Sequence, residues 1–326
     1  MKKEVEKLLQ YVQKPARYIG GELNAVVKDK EKVDIRYAFC FPDTYEIGMS
    51  HLGMKILYGL VNDRDDSWCE RVFAPDNDME EQLRKNNVPL FALESGDYIK
   101  DFDMIGFTLQ YELSYTNILN MLNLAQIPLK SSDRESLTPL ICVGGPCACN
   151  PEPITDFVDI VFLGDGEETT NQIIDLLIKA KKNGLSKHEF LLKAKDITGI
   201  YVPSFYKDSY NDDGTLKSLE PLYDAPKKVK KAVVSDMNSV YYPKEFVVPY
   251  INIVHDRAVE EIFRGCIRGC RFCQAGFIYR PIREKSVETI NMQSKALIES
   301  TGYDELSLCS LSTSDHSEVN KMLTTL

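Results

Sequence analysis

The stretch Glu261–Pro281, EIFRGCIRGCRFCQAGFIYRP, holds three of the nine cysteines of this 326-residue chain within eight residues. Cys266, Cys270 and Cys273 follow the spacing C-x3-C-x2-C. Cysteine is rare in this sequence, so three within eight residues would seldom occur by chance. The spacing predicts a loop whose three thiols act together.

The composition predicts a cytoplasmic protein with a sizeable core. Hydrophobic residues make up 44% of the chain, and the length allows two domains. The formal net charge of −10 argues against general coating of nucleic acid, although a local basic patch is compatible with it. The sequence has no membrane-length apolar run, and its charged N-terminus is unlike a signal peptide. Cytoplasmic thiols stay reduced, so we expect no disulfide framework.

Strand-like and helix-like segments alternate five times across residues 33–184. Apolar, β-branched runs predict the strands Val33–Asp43, Trp68–Pro75, Phe102–Gln110, Leu137–Pro146 and a fifth that starts at Phe157. Helical spacing predicts Ile47–Asp63 with Ser50 as a candidate cap, Asp78–Asn87, Ser114–Ala125 and a long helix ending at Gly184. This alternation predicts a parallel sheet with helices on both faces.

The pattern changes after residue 184. We expect an N-terminal helical segment over 1–32, an α/β domain over 33–184 and a β-rich connector over 185–255 with a hairpin turn at Asp213-Gly214. Residues 256–326 predict the start of a second domain. It contains a strand running into the cysteine loop, a helix over Ser286–Gly302 and another strand within Asp304–Asp315.

Three clustered thiols favour an iron–sulfur cluster. A 4Fe–4S cluster is held by thiolates, and three of them leave one iron open to another ligand. A structural zinc site is the alternative, but it needs four closed ligands. Here His255 lies 11 residues before Cys266 and His316 lies 43 residues after Cys273, so neither gives a familiar zinc spacing. A cysteine cluster without a metal is the remaining alternative.

The loop, with Phe272 directly before Cys273, resembles the cluster loop of the radical S-adenosylmethionine enzymes. That resemblance implies that Cys266, Cys270 and Cys273 hold a 4Fe–4S cluster whose open iron binds S-adenosylmethionine. It also implies reductive cleavage of that cofactor to a 5′-deoxyadenosyl radical, or support of methyl transfer, at the start of a partial (β/α)6 barrel; the sequence does not identify the substrate. The resemblance makes Phe272, Ser312 and Asp315 candidate S-adenosylmethionine contacts, although the "SLSTSD" turn lacks the common Gly-Gly-Glu.

Glycine-rich turns follow the fourth and fifth predicted strands, where open α/β sheets bind ligands. "GGP" and "GDGEE" resemble turns of the flavodoxin-like cobalamin-binding domain that precedes many radical S-adenosylmethionine enzymes. Together with "FPDTYEIGMSHLG", "FTLQYELSYTNILNML" and "GGPCACNPEP", they resemble one uncharacterised subfamily over nearly the whole chain. The resemblance makes Gly144, Gly145, Gly164 and Gly166 a candidate cobalamin edge. The base-off motif D-x-H-x-x-G is absent, so His51 is interpreted as a packed or capping residue.

The sequence-based hypothesis is a radical S-adenosylmethionine iron–sulfur protein. The alternative is a non-catalytic iron–sulfur or cobalamin-binding protein for electron transfer or assembly, with Cys309 as a fourth thiolate. The implied cofactors are a 4Fe–4S cluster, S-adenosylmethionine and cobalamin, and the implied partner is an electron donor such as a flavodoxin or ferredoxin. An RNA substrate would favour the basic run Lys227–Lys231. About two strand–helix units follow residue 256, so the sequence predicts an incomplete barrel and a truncated, inactive form.

Overall fold

The computed structural model describes residues 2–326 and centres on a six-stranded sheet. Its strands are β1 (Ile35–Phe41), β2 (Ser67–Phe73), β3 (Met104–Thr108), β4 (Leu140–Gly144), β5 (Ile160–Phe162) and β6 (Ile200–Tyr201). Their order is β2-β1-β3-β4-β5-β6, with β1 to β5 parallel and β6 antiparallel to β5. The predicted parallel α/β sheet is therefore confirmed.

The sheet is covered on both faces, as its nearly continuous apolar strands require. In the register, Tyr37 of β1 lies between Cys69 of β2 and Met104 of β3. Alternate side chains of each strand enter two separate apolar cores. Phe107 belongs to one of these cores, whereas Tyr37 belongs to the other.

Seven helices accompany the sheet along the chain. They are α1 (Lys3–Leu8), α2 (Tyr45–Gly48), α3 (Leu52–Asn62), α4 (Asn77–Asn86), α5 (Tyr115–Leu124), α6 (Glu167–Lys182) and α7 (Lys187–Ala194). Short 3-10 turns occur at Leu9–Tyr11, Pro15–Arg17, Ile99–Asp101, Glu112–Ser114, Ser131–Asp133, Pro146–Cys149, Glu152–Phe157, Pro203–Phe205 and Thr313–Asp315.

The single helix predicted over Ile47–Asp63 is two helices, and Ser50 does not cap the second. The Ser50 hydroxyl donates to the Glu46 carbonyl at 2.7 Å and is thereby used by the first helix. His51 caps α3 instead, because its Nδ1 accepts from the Met54 N–H at 3.1 Å. The break turns the chain so that α3 can lie over the carboxyl ends of the strands.

The predicted hairpin is present as β7 (Tyr206–Tyr210) and β8 (Leu216–Pro221), paired antiparallel. Gly214 in its turn has φ +81°, a conformation that glycine adopts without strain. An irregular stretch then leads to residue 257.

The last part of the chain carries the cysteine loop between two small sheets. Its elements are β9 (Ala258–Glu261), β10 (Phe263–Arg264), α8 (Ala275–Ile278), β11 (Arg283–Glu284), α9 (Val287–Thr301), β12 (Leu306–Cys309) and α10 (Val319–Thr325). Strand β9 pairs parallel with β12, and β10 pairs antiparallel with β11. Ser286 caps α9, and Gly302 ends it with φ +73°, as the sequence predicts.

Nothing in the architecture of residues 2–326 provides a helix with the length and apolar character to cross a bilayer.

Candidate functional site

A cavity of about 370 Å³ lies where the carboxyl ends of β3, β4 and β5 face the cysteine segment. Its walls are mainly apolar, with Phe39 and Phe162 from the sheet and Leu57 from α3. The opposite wall includes Phe263 of β10 and Leu311 beyond β12. The cavity therefore joins the first sheet to the segment that carries the cysteines, at the sheet edge where ligands of open α/β folds bind.

All four glycines predicted for this edge line the cavity, but two of them have a structural reason to be glycine. Gly145 has φ +100°, and a Cβ there would lie 2.8 Å from the Leu109 carbonyl oxygen. Gly164 has φ +99°, and a Cβ would overlap the Ala232 carbonyl. Backbone packing alone accounts for glycine at these two positions.

Gly144 and Gly166 have no such restriction. A Cβ on Gly144 would lie 3.4 Å from the Cβ of Phe162. One on Gly166 would lie 3.5 Å from a methyl of Leu57, an ordinary contact. These two positions are where the absence of a side chain leaves space for a ligand.

His51 belongs to the cavity wall as well as to the cap of α3. Its ring packs against Phe41 at 5.3 Å between centroids. Burial lowers the pKa of His51 to about 4, and an interaction with Gln110 opposes that shift. The imidazole is therefore neutral at physiological pH, with Nδ1 used as an acceptor, which confirms the capping interpretation.

The floor of the cavity contains a tyrosine hydroxyl. Tyr37 is 5% exposed, and burial raises the pKa of its phenol well above the usual value. Its ring fills the space that a side chain on Gly106 would occupy. The neutral hydroxyl gives the apolar floor one polar group.

An arginine just before the cysteine loop connects the two walls. Arg264 Nε donates to Glu261 at 2.8 Å, and its Nη1 lies 3.2 Å from an Asp165 oxygen. A second terminal nitrogen pairs with Glu167. These carboxylates raise the pKa of Arg264 well above its usual value although burial opposes them.

A second arginine strengthens the same contact. Arg283 of β11 pairs with Asp165 and donates to the Val234 carbonyl at 2.9 Å. Asp165 in turn accepts from the Val234 N–H at 2.8 Å. The acidic residues of the "GDGEE" turn therefore hold the cysteine segment against the sheet, a role that their glycine-rich context did not predict.

A buried ion pair orients β9. The side chains of Glu260 and Lys285 are fully buried, and their charged atoms lie 2.7 Å apart. Lys285 also donates to Gln293 and lies 3.6 Å from the ring centre of Tyr242. Burial raises the pKa of Glu260, and Lys285 opposes that shift. Because side chains alternate along a strand, Glu261 faces the cavity.

The cysteine loop begins at Gly265, which lines the cavity with φ +98°. Cys266 and Cys273 are half-buried, and Cys270 is exposed. The Cys273 N–H donates to the Cys270 carbonyl at 3.0 Å and closes a turn. The three thiols fit a cluster in ligand type. Across residues 2–326, however, no group of three or more His, Cys, Asp or Glu side chains is arranged as a metal site.

The three candidate S-adenosylmethionine contacts differ in their exposure and in their contacts with the cysteine loop. Asp315 reaches the cysteine loop, since it accepts from Arg268 Nε at 2.7 Å. Arg268 lowers the pKa of Asp315, and Ser312 contributes to the same shift. Phe272 is 93% exposed. Arg268 lies between two of the predicted ligands, so this ion pair brings the "SLSTSD" turn to the loop.

The other cysteines differ in their surroundings. Cys142 is buried in β4, and its thiol lies 3.5 Å from the Ile105 carbonyl. Cys147 is also buried, whereas Cys149 is exposed. Cys309, at the end of β12, lines the cavity. Burial raises the pKa of all four thiols, which marks them as poor nucleophiles in this conformation.

One family model matches part of the chain. A family described as "Radical SAM proteins, N-terminal" matches residues 53–203. This match and the fold support the radical S-adenosylmethionine superfamily.

One curated relative is uncharacterized protein MJ0966 of Methanocaldococcus jannaschii, 25% identical over 280 residues. The match covers 86% of this chain and 50% of the relative, so the chain spans about half the length of that protein.

Two solved structures share the fold, and both are of the radical S-adenosylmethionine methyltransferase TsrM from Kitasatospora setae. The one with tryptophan substrate and a SAM analogue bound has a TM-score of 0.54 at 11% identity. The one with cobalamin and a [4Fe-4S] cluster bound has a TM-score of 0.51 at 10% identity. Each likeness covers 89% of this chain and 50% of the solved one.

Several residues of the site were missed from the sequence. Tyr37 carries a signal for burial in a strand but none for a cavity floor. Arg264 precedes the cysteines directly, and the acidic "GDGEE" turn offers opposite charge, so charge complementarity between the two motifs could have indicated their contact. Tyr279 and Leu311 line the cavity only because the chain returns to it.

Proposed function

We propose that this protein binds a 4Fe–4S cluster through Cys266, Cys270 and Cys273 and is, or belongs to, a radical S-adenosylmethionine enzyme. The observation that carries the proposal is the position of the C-x3-C-x2-C loop, which directly follows Arg264 and Gly265 in the wall of the cavity. The family match and the shared fold support it.

Different residues of this chain would have different roles. The three thiolates would hold three irons, and the fourth would be free for S-adenosylmethionine. When bound, that cofactor pair would supply reductive cleavage of a sulfonium to a 5′-deoxyadenosyl radical. Arg264 and Arg283 would keep the loop against the cavity, and the apolar walls would exclude water from it. Asp315, Ser312 and Phe272 are the proposed S-adenosylmethionine contacts.

Cobalamin is the proposed ligand of the sheet edge. The strand order 2-1-3-4-5 is that of flavodoxin-like sheets, which supports a cobalamin-binding-like domain over 33–184, followed by a connector and the first units of a radical barrel. The space beside Gly144 and Gly166 supports occupation of this edge. A cytoplasmic location and an electron donor such as a flavodoxin or ferredoxin complete the proposal.

The test is anaerobic reconstitution with iron and sulfide. We expect about four irons per chain and, after reduction, an electron paramagnetic resonance signal that changes when S-adenosylmethionine is added. Replacing all three loop cysteines with serine should abolish iron binding. Because these side chains are half-buried or exposed, the thermal stability of the apoprotein should change little.

Cys309→Ser is the matched control, since Cys309 lies in the same segment and lines the cavity. The variant should retain both the cluster and its response to S-adenosylmethionine. Loss of the cluster in Cys309→Ser would favour the electron-carrier alternative with four thiolates. A spectrum unchanged by S-adenosylmethionine in the unsubstituted protein would contradict the open-iron proposal.

A further inference from the structure

Basic residues are concentrated around the cysteine loop of an otherwise acidic protein. Residues 262–285 contain six basic residues and one carboxylate, whereas the chain as a whole has a net charge of −10. The basic run at residues 227–231 adds four lysines. The structure brings these two stretches together, because Lys231 Nζ donates to the Ile278 carbonyl at 2.7 Å and also to the Arg280 carbonyl.

The basic residues of these two stretches fall into two groups. Arg264, Arg268, Arg283 and Lys285 form ion pairs with carboxylates of the protein itself. The other group is Lys227, Lys228, Lys230, Lys231, Arg271 and Arg280. Within residues 2–326, none of these six side chains has a carboxylate within ion-pair distance. Apart from Lys231, they are exposed.

An exposed aromatic ring lies beside one of these free cations, Arg280. Phe277 of α8 is 63% exposed, and the guanidinium of Arg280 lies 4.7 Å from its ring centre. A ring held against an arginine offers a flat face for stacking, with positive charge beside it. Tyr279, two residues further along the chain, lines the cavity.

We propose that this basic surface, defined by Lys227, Lys228, Lys230, Arg280 and Phe277, binds single-stranded nucleic acid. Phosphates would neutralise the free cations, and an unpaired base would stack on Phe277. A duplex hides its base faces and would not use the ring. This inference rests on the proposed function, because the binding would serve the enzyme by presenting a nucleotide of the bound strand to the cavity.

The probe is a fluorescein-labelled single-stranded RNA 12-mer, with binding followed by fluorescence anisotropy at several salt concentrations. The apoprotein is used, so the measurement does not depend on the cluster or on S-adenosylmethionine. Replacing Lys227, Lys228 and Lys230 with glutamine should weaken binding about tenfold or more. The same change should lower the slope of log affinity against log salt by about 2.

The matched control replaces Lys7, Lys85 and Lys179 with glutamine. These lysines are also exposed and are free of ion pairs within residues 2–326, but they lie on α1, α4 and α6. The control loses the same charge and should bind RNA almost as well as the unsubstituted protein. Equal weakening in both triple variants would show that only net charge matters and would overturn the proposal.

Phe277→Ala separates stacking from charge. We expect severalfold weaker binding with an unchanged salt slope, because no phosphate contact is lost. Circular dichroism melting would check that the exposed position leaves the fold intact. No RNA binding by the unsubstituted protein, or binding to anionic phospholipid vesicles in its place, would overturn the inference. Failure to take up iron would count against the proposed function alone.

Discussion

In the six-stranded sheet, β1 is buried along almost its whole length, whereas in the cysteine loop Cys270 is exposed and its neighbours are only half-buried. Side chains of the sheet are fixed by packing on both faces, so their identity is explained by the core. The loop thiols have no comparable packing in the protein without a cluster. A residue type that packing does not require points to a role outside folding.

The two regions are joined by ion pairs and by one small apolar cluster. Arg264 and Arg283 reach from the cysteine segment to Asp165 and Glu167 of the "GDGEE" turn. The apolar clusters around β9 are small, and one of them packs Ile56 of α3 against Ala258 and Leu297. The first of three predictions tests the charge contact between these regions, and the other two test Gly164 and His51 in the wall of the cavity.

The largest effect is expected from Arg264→Ala. The change leaves Glu261 and Glu167 without their shared partner, and the free energy of unfolding should fall by about 3 kcal/mol. Urea unfolding of the apoprotein measures it. Arg257→Ala is the control, because Arg257 makes a largely exposed pair with Glu305 and should cost at most about 1 kcal/mol. Equal losses would show that the contact between the regions is weak.

Next is Gly164→Ala, which tests the backbone contact between the "GDGEE" turn and Ala232. The new Cβ would overlap the Ala232 carbonyl in a left-handed conformation, so we expect the free energy of unfolding to fall by about 2–3 kcal/mol. Gly214→Ala has a similar positive φ but open space around it and should lose only about 1 kcal/mol. If thermal melting gives both variants the same loss, the backbone contact adds nothing to the conformational strain.

The smallest effect concerns His51 and pH. Its folded pKa of about 4 lies below the ordinary 6.5, so the folded protein binds fewer protons between these values. The contribution of neutral His51 is therefore present above about pH 6.5 and is lost as the pH falls towards 4. At pH 5 the loss should be about 2 kcal/mol relative to pH 8.

His51→Asn is the control for that pH dependence, since asparagine can also cap α3 but does not titrate. Chemical unfolding of both proteins at pH 5 and pH 8 gives the comparison. The difference between the two pH values should be smaller in the variant by the His51 contribution. An identical pH dependence would mean that His51 is not the group responsible.

Much of the first region could be predicted because local pattern and burial agree there. The apolar run Val33–Asp43 yields β1, and Ser286 with Gly302 correctly bounds α9. The break between α2 and α3 could not be predicted. Ser50 and His51 both resemble caps, and the choice depends on which backbone groups each side chain reaches.

The sequence by itself determined the parallel α/β sheet and the C-x3-C-x2-C spacing that carries the proposed chemistry. Periodicity and spacing are local properties, so a single chain displays them directly. Only the tertiary structure shows that a Cβ on Gly144 or Gly166 would make ordinary contacts, whereas one on Gly145 or Gly164 would clash with backbone atoms. It also paired the acidic turn with Arg264 and Arg283, a contact that exists only once residues about 100 positions apart meet. Long-range packing and charge pairing depend on the folded path of the chain, and local sequence carries little record of that path.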